Sequence, residues 1–283
     1  MPRLIHLSDL HFGAHDPVLV EAVERRLDEE KPDLVVVSGD FTQRAKTEQF
    51  EEAGAFLMRV REAGHEVLAV PGNHDVPLYD VLRRFLSPLT RYKRYIDSTL
   101  CPFIQIDGAA VLGINTARSL TFKNGHISEE QMEMIRTTFA ETSDRQPRIL
   151  VTHHPLFALP VGDGPELGEL MDDHEMALDA IADAGVDLML AGHNHRASVN
   201  DAGSLAKGAG KALVIQAGTA TSTRTRDEMQ SFNRIEIDGQ GVRVTIQRWD
   251  GTAFVSGDSQ FFERHNERWE FADGKKVDAA PTS

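Results

Sequence analysis

The sequence predicts an α/β fold from three observations. Short apolar runs bounded by turn residues recur along the chain, segments of helical period lie between them, and after Lys211 the pattern changes to extended segments. With 283 residues, 41% of them hydrophobic, and no internal repeat or linker, the chain is expected to bury one substantial core in one domain.

Taken in order, Leu4 to Ser8 is the first apolar run and reads as a buried strand. Pro17 to Glu30 follows with helical period, then a strand at Leu34 to Ser38, a helix at Thr47 to Ala63 and a strand at Val67 to Val70. Leu78 to Ile96 reads as one further helix and Val111 to Ile114 as a strand. The next helix, to Ala140, starts at Ser128, because Ser128-Glu-Glu-Gln131 has the pattern of a capping box. Ile149 to Thr152, Leu188 to Ala191 and Leu213 to Gln216 read as strands, with a helix at His174 to Ala184 between the first two. Phe232 to Ile237 and Val242 to Trp249 flank Asp238-Gly239-Gln240-Gly241, a hairpin signal, so a β-rich end closes the fold. Beyond Asp250 the chain is polar and weakly periodic, anchored by Phe261, Phe262 and Trp269. Residues 251–283 are therefore expected to extend a catalytic domain of residues 1–250, with disorder from Asp273 onward.

The formal charge of -14, from 30 Lys and Arg against 44 Asp and Glu, argues against a dedicated nucleic-acid-binding surface, which is normally basic. Cys101 is the single cysteine, which excludes an intramolecular disulfide and suits a reducing, cytoplasmic location. The N-terminal apolar run is too short for a signal peptide, and no segment approaches the ~20 apolar residues of a membrane span. No membrane partner is expected, and a homo-oligomer is compatible with the sequence.

Chemistry-bearing residues gather after the strands. Asp9 and His11 follow the first, at a spacing that places both side chains on one side of an extended backbone. Gly39-Asp40 follows the second, its glycine letting the chain turn so that the carboxylate points off the carboxyl end of the sheet, where open α/β sheets bind ligands. Gly72-Asn73-His74-Asp75 follows the third and offers an amide oxygen, an imidazole for proton chemistry and a carboxylate to orient it. Thr152-His153-His154-Pro155 and Gly192-His193-Asn194-His195 follow two more, the second again placing two imidazoles on one side of an extended segment. A lone Asp after a strand is usually a helix cap, and a lone His usually a satisfied surface or core group. Here, however, five of the 12 histidines stand at such positions. Carboxylate, imidazole and amide donors without a thiolate suit manganese, iron or zinc.

In this order, Asp9-x-His11, Gly39-Asp40, Gly72-Asn-His-Asp75, His153 and Gly192-His-x-His195 resemble the calcineurin-like metallophosphoesterase superfamily. The phrases Leu7-Ser-Asp-Leu-His-Phe-Gly13 and Thr152-His-His-Pro155 are most similar to its bacterial class III cyclic nucleotide phosphodiesterases and their glycerophosphodiesterase relatives. The resemblance implies a four-layer αββα sandwich. It implies one metal on Asp9, His11, Asp40 and His195, and a second on Asp40, Asn73, His153 and His193, with Asp40 bridging. It also assigns the ligand of its motif to His153, leaving His154 behind the metal or facing substrate. Two ions roughly 3.5 to 4 Å apart can hold a bridging hydroxide that attacks phosphorus in line. His74 is then the catalytic candidate for protonating the leaving group, with Asp75 its orienter.

The substrate class the resemblance implies is a small phosphodiester, a 3',5'-cyclic nucleotide first, with 2',3'-cyclic nucleotides or glycerophosphodiesters as the alternative. Lipid-A pathway pyrophosphatases rank lower, since they carry Arg where His74 stands and the sequence offers no evident amphipathic docking helix. DNA nucleases add a capping domain and a basic path, and catalytically dead scaffolds lose ligands that are intact here. Arg224 and Arg226, in the segment Thr221 to Arg226, are candidate phosphate contacts, and Arg118 and Arg196 candidate nucleotide contacts.

Overall fold

Strand and helix alternate through the chain as the apolar pattern requires. The computed structural model describes residues 1–272 apart from 120–123, 144–145, 158, 162–163, 168–173, 203–210, 225–227, 240 and 266–267. The elements run β1 (Arg3–Leu7), α1 (Pro17–Glu30), β2 (Leu34–Ser38), α2 (Thr47–Glu62), β3 (Val67–Val70), a 3-10 turn (Asn73–Asp75), α3 (Val81–Leu86), α4 (Thr90–Tyr95), β4 (Phe103–Ile106), β5 (Ala109–Gly113) and α5 (Glu129–Ala140). They continue with β6 (Arg148–Val151), β7 (Leu159–Val161), β8 (Gly164–Leu167), α6 (His174–Asp183), β9 (Leu188–Ala191), β10 (Ser198–Asp201), β11 (Leu213–Gln216), β12 (Ser231–Ile237), β13 (Gly241–Trp249), β14 (Phe254–His265) and β15 (Arg268–Phe271).

One seven-stranded sheet has the order β15-β14-β13-β12-β1-β2-β3, and a six-stranded sheet has the order β10-β11-β9-β6-β5-β4. In each, the strands that precede the candidate residues run parallel to one another, β1 with β2 and β2 with β3, β6 with β9. Parallel pairing puts their carboxyl ends on one edge.

Period-two alternation sorts the layers. In β2, Val35 and Val37 pack with Leu19, Val23, Phe50 and Phe56 of α1 and α2, whereas Leu34 and Val36 face Ile149, Val151, Leu188 and Leu190 of the second sheet. On the far side, Leu150 and Met189 meet Met132, Ile135 and Phe139 of α5 and Leu178 and Ile181 of α6. Helix, sheet, sheet, helix is the four-layer αββα sandwich expected.

Ser128 caps α5 as read: its hydroxyl accepts from Gln131 N at 3.4 Å, and its own N–H donates to Gln131 Oε1 at 3.0 Å. Two expectations are corrected. Leu78 to Ile96 is two short helices, because Pro88 lacks an N–H and drives Ser87 out of helical space, to φ -157° and ψ 57°. The stretch after Asp250 contributes β14 and β15 to the first sheet, with Phe254 in the core beneath α1 and α2 and Phe262 and Trp269 between the sheets. Its buried residues, Phe254, Phe261 and Phe262 on β14 and Trp269 on β15, are interrupted by an exposed run at 255–259, which makes the segment read as polar. Asp273 onward lies outside the described residues. Among the described residues, no helix is long and apolar enough to cross a membrane.

Candidate metal centre

The loops after β1 and β2 continue side by side past the sheet edge: Asp9 N donates to Gly39 O at 3.1 Å, His11 N to Asp40 O at 2.9 Å and Phe12 N to Phe41 O at 2.8 Å. Thr219 and Thr221 hydroxyls donate to the carbonyls of Asp9 and Leu10, both at 2.7 Å, and clamp the first loop from the chain after β11. These ties hold an unusual backbone. Asp9, His11, Asp40, His193 and His195 all have left-handed φ, between 50° and 72°. For residues with a Cβ this costs of order 1 kcal/mol each and persists only where the surroundings over-determine it.

The extended backbone expected for Asp9-x-His11 and His193-x-His195 is therefore corrected. The first pair still meets, with Asp9 Oδ1 3.6 Å from His11 Nε2. The second pair divides: His195 Nε2 lies 3.1 Å from both Asp9 Oδ1 and His11 Nε2, while His193 Nδ1 lies 3.1 Å from Asn73 Oδ1. Asn73 Oδ1 is also 3.1 Å from His153 Nε2. Asp40 Oδ2 faces both groups, 3.8 Å from His11 Nε2 and 3.4 Å from His153 Nε2. Two clusters sharing one carboxylate result, Asp9, His11, Asp40 and His195 beside Asp40, Asn73, His153 and His193.

Glycine makes this approach possible. At Gly39, φ is +90° and a Cβ would lie 2.5 Å from His153 Nδ1; at Gly192 it would lie 1.8 Å from Ser8 Oγ.

The donor set suits a cation. Asp9 Oδ1 is buried and accepts no hydrogen bond. His153 Nδ1 donates to Ser38 O at 2.7 Å and His195 Nδ1 to Arg224 O at 3.1 Å, which turns the Nε2 atom of each ring toward the carboxylates. Burial pushes the Asp9 and Asp40 carboxyls up, but the surrounding imidazoles, His195 and His11 for Asp9 and His153 for Asp40, hold both well below the usual range. Burial works against a charge on His153, yet Asp40 raises it to about 9. Several buried imidazole nitrogens and an amide oxygen converging on two carboxylates is a donor set that metal ions satisfy.

His74 stands at the junction. Its N–H donates to Asp40 Oδ1 at 2.8 Å, its ring Nδ1 donates to Gln43 O at 2.8 Å, and the ring lies edge-on to His11 with centroids 4.9 Å apart. Asp75 does not orient it. That carboxylate is buried and accepts from the N–H groups of Thr42 (2.9 Å), Gly72 (2.9 Å) and Phe41 (3.2 Å), tying the loop after β2 to the loop after β3. Burial, with the negative Asp40 nearby, pushes Asp75 up to about 6.

A family profile for the calcineurin-like phosphoesterases matches residues 2–197. The chain belongs to that family. A probable cyclic nucleotide phosphodiesterase of Synechococcus sp. is 26% identical over 219 residues, covering 71% of this chain and 76% of the relative. The glycerophosphodiester phosphodiesterase of Enterobacter lignolyticus is 24% identical over 205 residues, covering 68% and 70%. Among solved structures, a dimetal phosphatase from Danio rerio shares the fold with a TM-score of 0.62 at 13% identity, over 90% of this chain and 99% of that one. The protein is thus a metal-dependent phosphoester hydrolase of the calcineurin-like family.

Around the centre of this phosphoesterase, the remaining sequence candidates divide. His154 is buried behind His153 and His193, with ring centroids 4.9 and 4.8 Å away, and pairs with Thr116 Oγ1 at 2.8 Å. Arg118 is committed to the Asn115 carbonyl at 3.0 Å and to Gln131 of α5. Arg196 is half-buried directly after His195, and Arg226 lies outside the described residues. Arg224 serves through its carbonyl, and Gln43 through its own. A main-chain oxygen leaves no mark in a side-chain pattern, so sequence reading had no signal for either.

Proposed function

We propose that the protein is a binuclear phosphodiesterase that hydrolyses a small phosphodiester, a cyclic nucleotide of the 3',5'-cAMP kind first. The observation that carries the reading is the Asp40 carboxylate, whose Oδ2 lies between His11 and His153. Asp9, His11, Asp40 and His195 would hold one ion and Asp40, Asn73, His153 and His193 the other, drawn from manganese, iron or zinc. Such ions supply positive charge for the phosphoryl oxygens and lower the pKa of a water held there.

The chain's own residues do the rest. Ser8 Oγ at 2.6 Å and His193 N at 3.0 Å fix Asp9 Oδ2, leaving Oδ1 for the cluster. The carbonyls of Ser38 and Arg224 fix the His153 and His195 rings. His74, its Nδ1–H held by Gln43 O, has Nε2 as the atom that delivers a proton to the leaving oxygen.

The likeness to a probable cyclic nucleotide phosphodiesterase supports a cyclic nucleotide, and the likeness to a glycerophosphodiester phosphodiesterase supports a glycerophosphodiester; 2',3'-cyclic nucleotides remain part of the second substrate class. The test is protein reconstituted with manganese and assayed on 3',5'- and 2',3'-cyclic nucleotides, a glycerophosphodiester, a phosphomonoester and DNA ends. Turnover of diesters above the monoester is expected; no diester turnover contradicts the reading. His74→Ala should keep its metal content while turnover of a poor leaving group falls by roughly a hundredfold or more. Equal turnover in variant and parent removes His74 from the mechanism.

A further inference from the structure

Beside the centre lies a pocket of about 450 Å³ whose lining includes Gly13, Gln43, Arg44, Lys46 and Arg224. It is continuous with the proposed machinery at three points. Gly13 follows His11 by two residues, the Gln43 carbonyl holds the His74 ring and the Arg224 carbonyl holds the His195 ring.

Three cations line this pocket and no carboxylate does, among the described residues. The chain has 44 Asp and Glu against 30 Lys and Arg, and its other arginines commonly find them: Arg26 is 2.6 Å from Glu30, Arg59 is 2.7 Å from Glu24 and Arg264 is 2.6 Å from Asp187. Arg44, Lys46 and Arg224 form no ion pair with any described residue, and the Arg44 guanidinium lies 5.7 Å from the Tyr79 ring centroid. All three are exposed, so water screens their mutual repulsion, and their charged ends are free to meet an anion that enters the pocket.

The loop carrying two of them is fixed. The N–H groups of Arg44 and Lys46 donate to the buried Gln49 Oε1 at 2.9 and 3.4 Å, where the 16-residue helix α2 begins, and its positive N-terminal end adds to the same field.

We propose that this pocket binds a second anionic group of the substrate, a phosphate monoester carried on the ester arm that extends past His11 and His195. The proposal rests on the phosphodiesterase reading and, within it, favours the second substrate class over the 3',5'-cyclic nucleotides. A cyclic mononucleotide has one negative charge, and hydrolysis places it at the His-Asp centre, leaving the pocket cations to water. A nucleotide diester bearing a further phosphate, such as a 5'-phosphorylated 2',3'-cyclic nucleotide, meets both, and charge-assisted hydrogen bonds to arginine recognise it by shape as well as charge.

The test separates the pocket from the chemistry. Calorimetry on manganese-reconstituted protein compares adenosine 3',5'-bisphosphate with adenosine 3'-monophosphate, which differ only in the second phosphate. The bisphosphate is expected to bind about tenfold tighter or more, and the double variant Arg44→Gln/Lys46→Gln to lose that advantage. In activity assays, the variant should turn over bis(p-nitrophenyl) phosphate, which has no second anion, at the parent rate, while kcat/KM for the 5'-phosphorylated 2',3'-cyclic nucleotide falls to that of its unphosphorylated counterpart. Equal affinity for the two ligands, no measurable binding of the bisphosphate, or an advantage that survives in the variant overturns the pocket assignment and leaves the phosphodiesterase reading standing. A preserved bisphosphate preference without turnover of any diester does the reverse.

Discussion

The loops after β1, β2 and β3 hold Asp9, His11, Asp40 and Asn73 through their own main chain, whereas the loops after β6 and β9 deliver His153, His193 and His195 as rings aimed by atoms elsewhere. On the first sheet, neighbouring loops exchange N–H···O=C bonds beyond the strand ends, and Asp75 stitches two of them together at its buried carboxylate. On the second sheet, the His153 ring is turned by the Ser38 carbonyl of the opposite sheet, and His193 N–H reaches across to Asp9. The carboxylate half is thus set mainly by hydrogen bonds between neighbouring loops, with the Thr219 and Thr221 hydroxyls and the His193 N–H reinforcing it, and the His153 ring by docking of one sheet on the other. Binding geometry should fail first at that ring when the docking is disturbed.

Gly39→Ala is the larger way to break this contrast. The new Cβ would stand 2.5 Å from His153 Nδ1 at φ +90°, so the ring must leave Ser38 O or the loop must move. Denaturant unfolding should show a loss of about 1–3 kcal/mol, and metal content should fall toward one ion per chain. Parent-like stability and metal content would mean that the His153 ring is not held across the sheets.

His6→Leu is a smaller change that sharpens the contrast. His6 shares the inter-sheet face with Ser38, bonding its Oγ at 2.8 Å, and burial lowers its pKa to about 3 despite the opposing pull of Asp9. A folded pKa below the unfolded value of about 6.5 means stability that is present above pH 6.5 and lost as pH falls toward 3, at about 1.4 kcal/mol per unit. In EDTA-treated protein, the variant's unfolding free energy should fall less steeply than the parent's between pH 6 and 5. Parallel curves would show that His6 does not carry this acid sensitivity.

The strand-end residues were legible because each stands directly after an apolar run, and those continuous runs marked the central strands of both sheets. What escaped had no side-chain signature. The left-handed φ of Asp9, His11, Asp40, His193 and His195 is imposed by cross-loop hydrogen bonds, and the clamps at Gln43, Ser38 and Arg224 are carbonyls. Asp75 was misread because a carboxylate next to a histidine in sequence looked like its partner, while the chain turned it toward Thr42. The antiparallel strand β4 was missed because Phe103 and Gln105 face solvent, and β14 because residues 255–259 are all exposed and break its apolar pattern.

The central claim, two ions sharing Asp40, is tested most directly by metal stoichiometry. Protein stripped with EDTA and titrated with manganese should take up two ions per chain, and Asp40→Ala should bind neither at the same concentrations, because its carboxylate faces both clusters. One ion at saturation in the parent, or one retained at full affinity in the variant, would contradict the shared carboxylate.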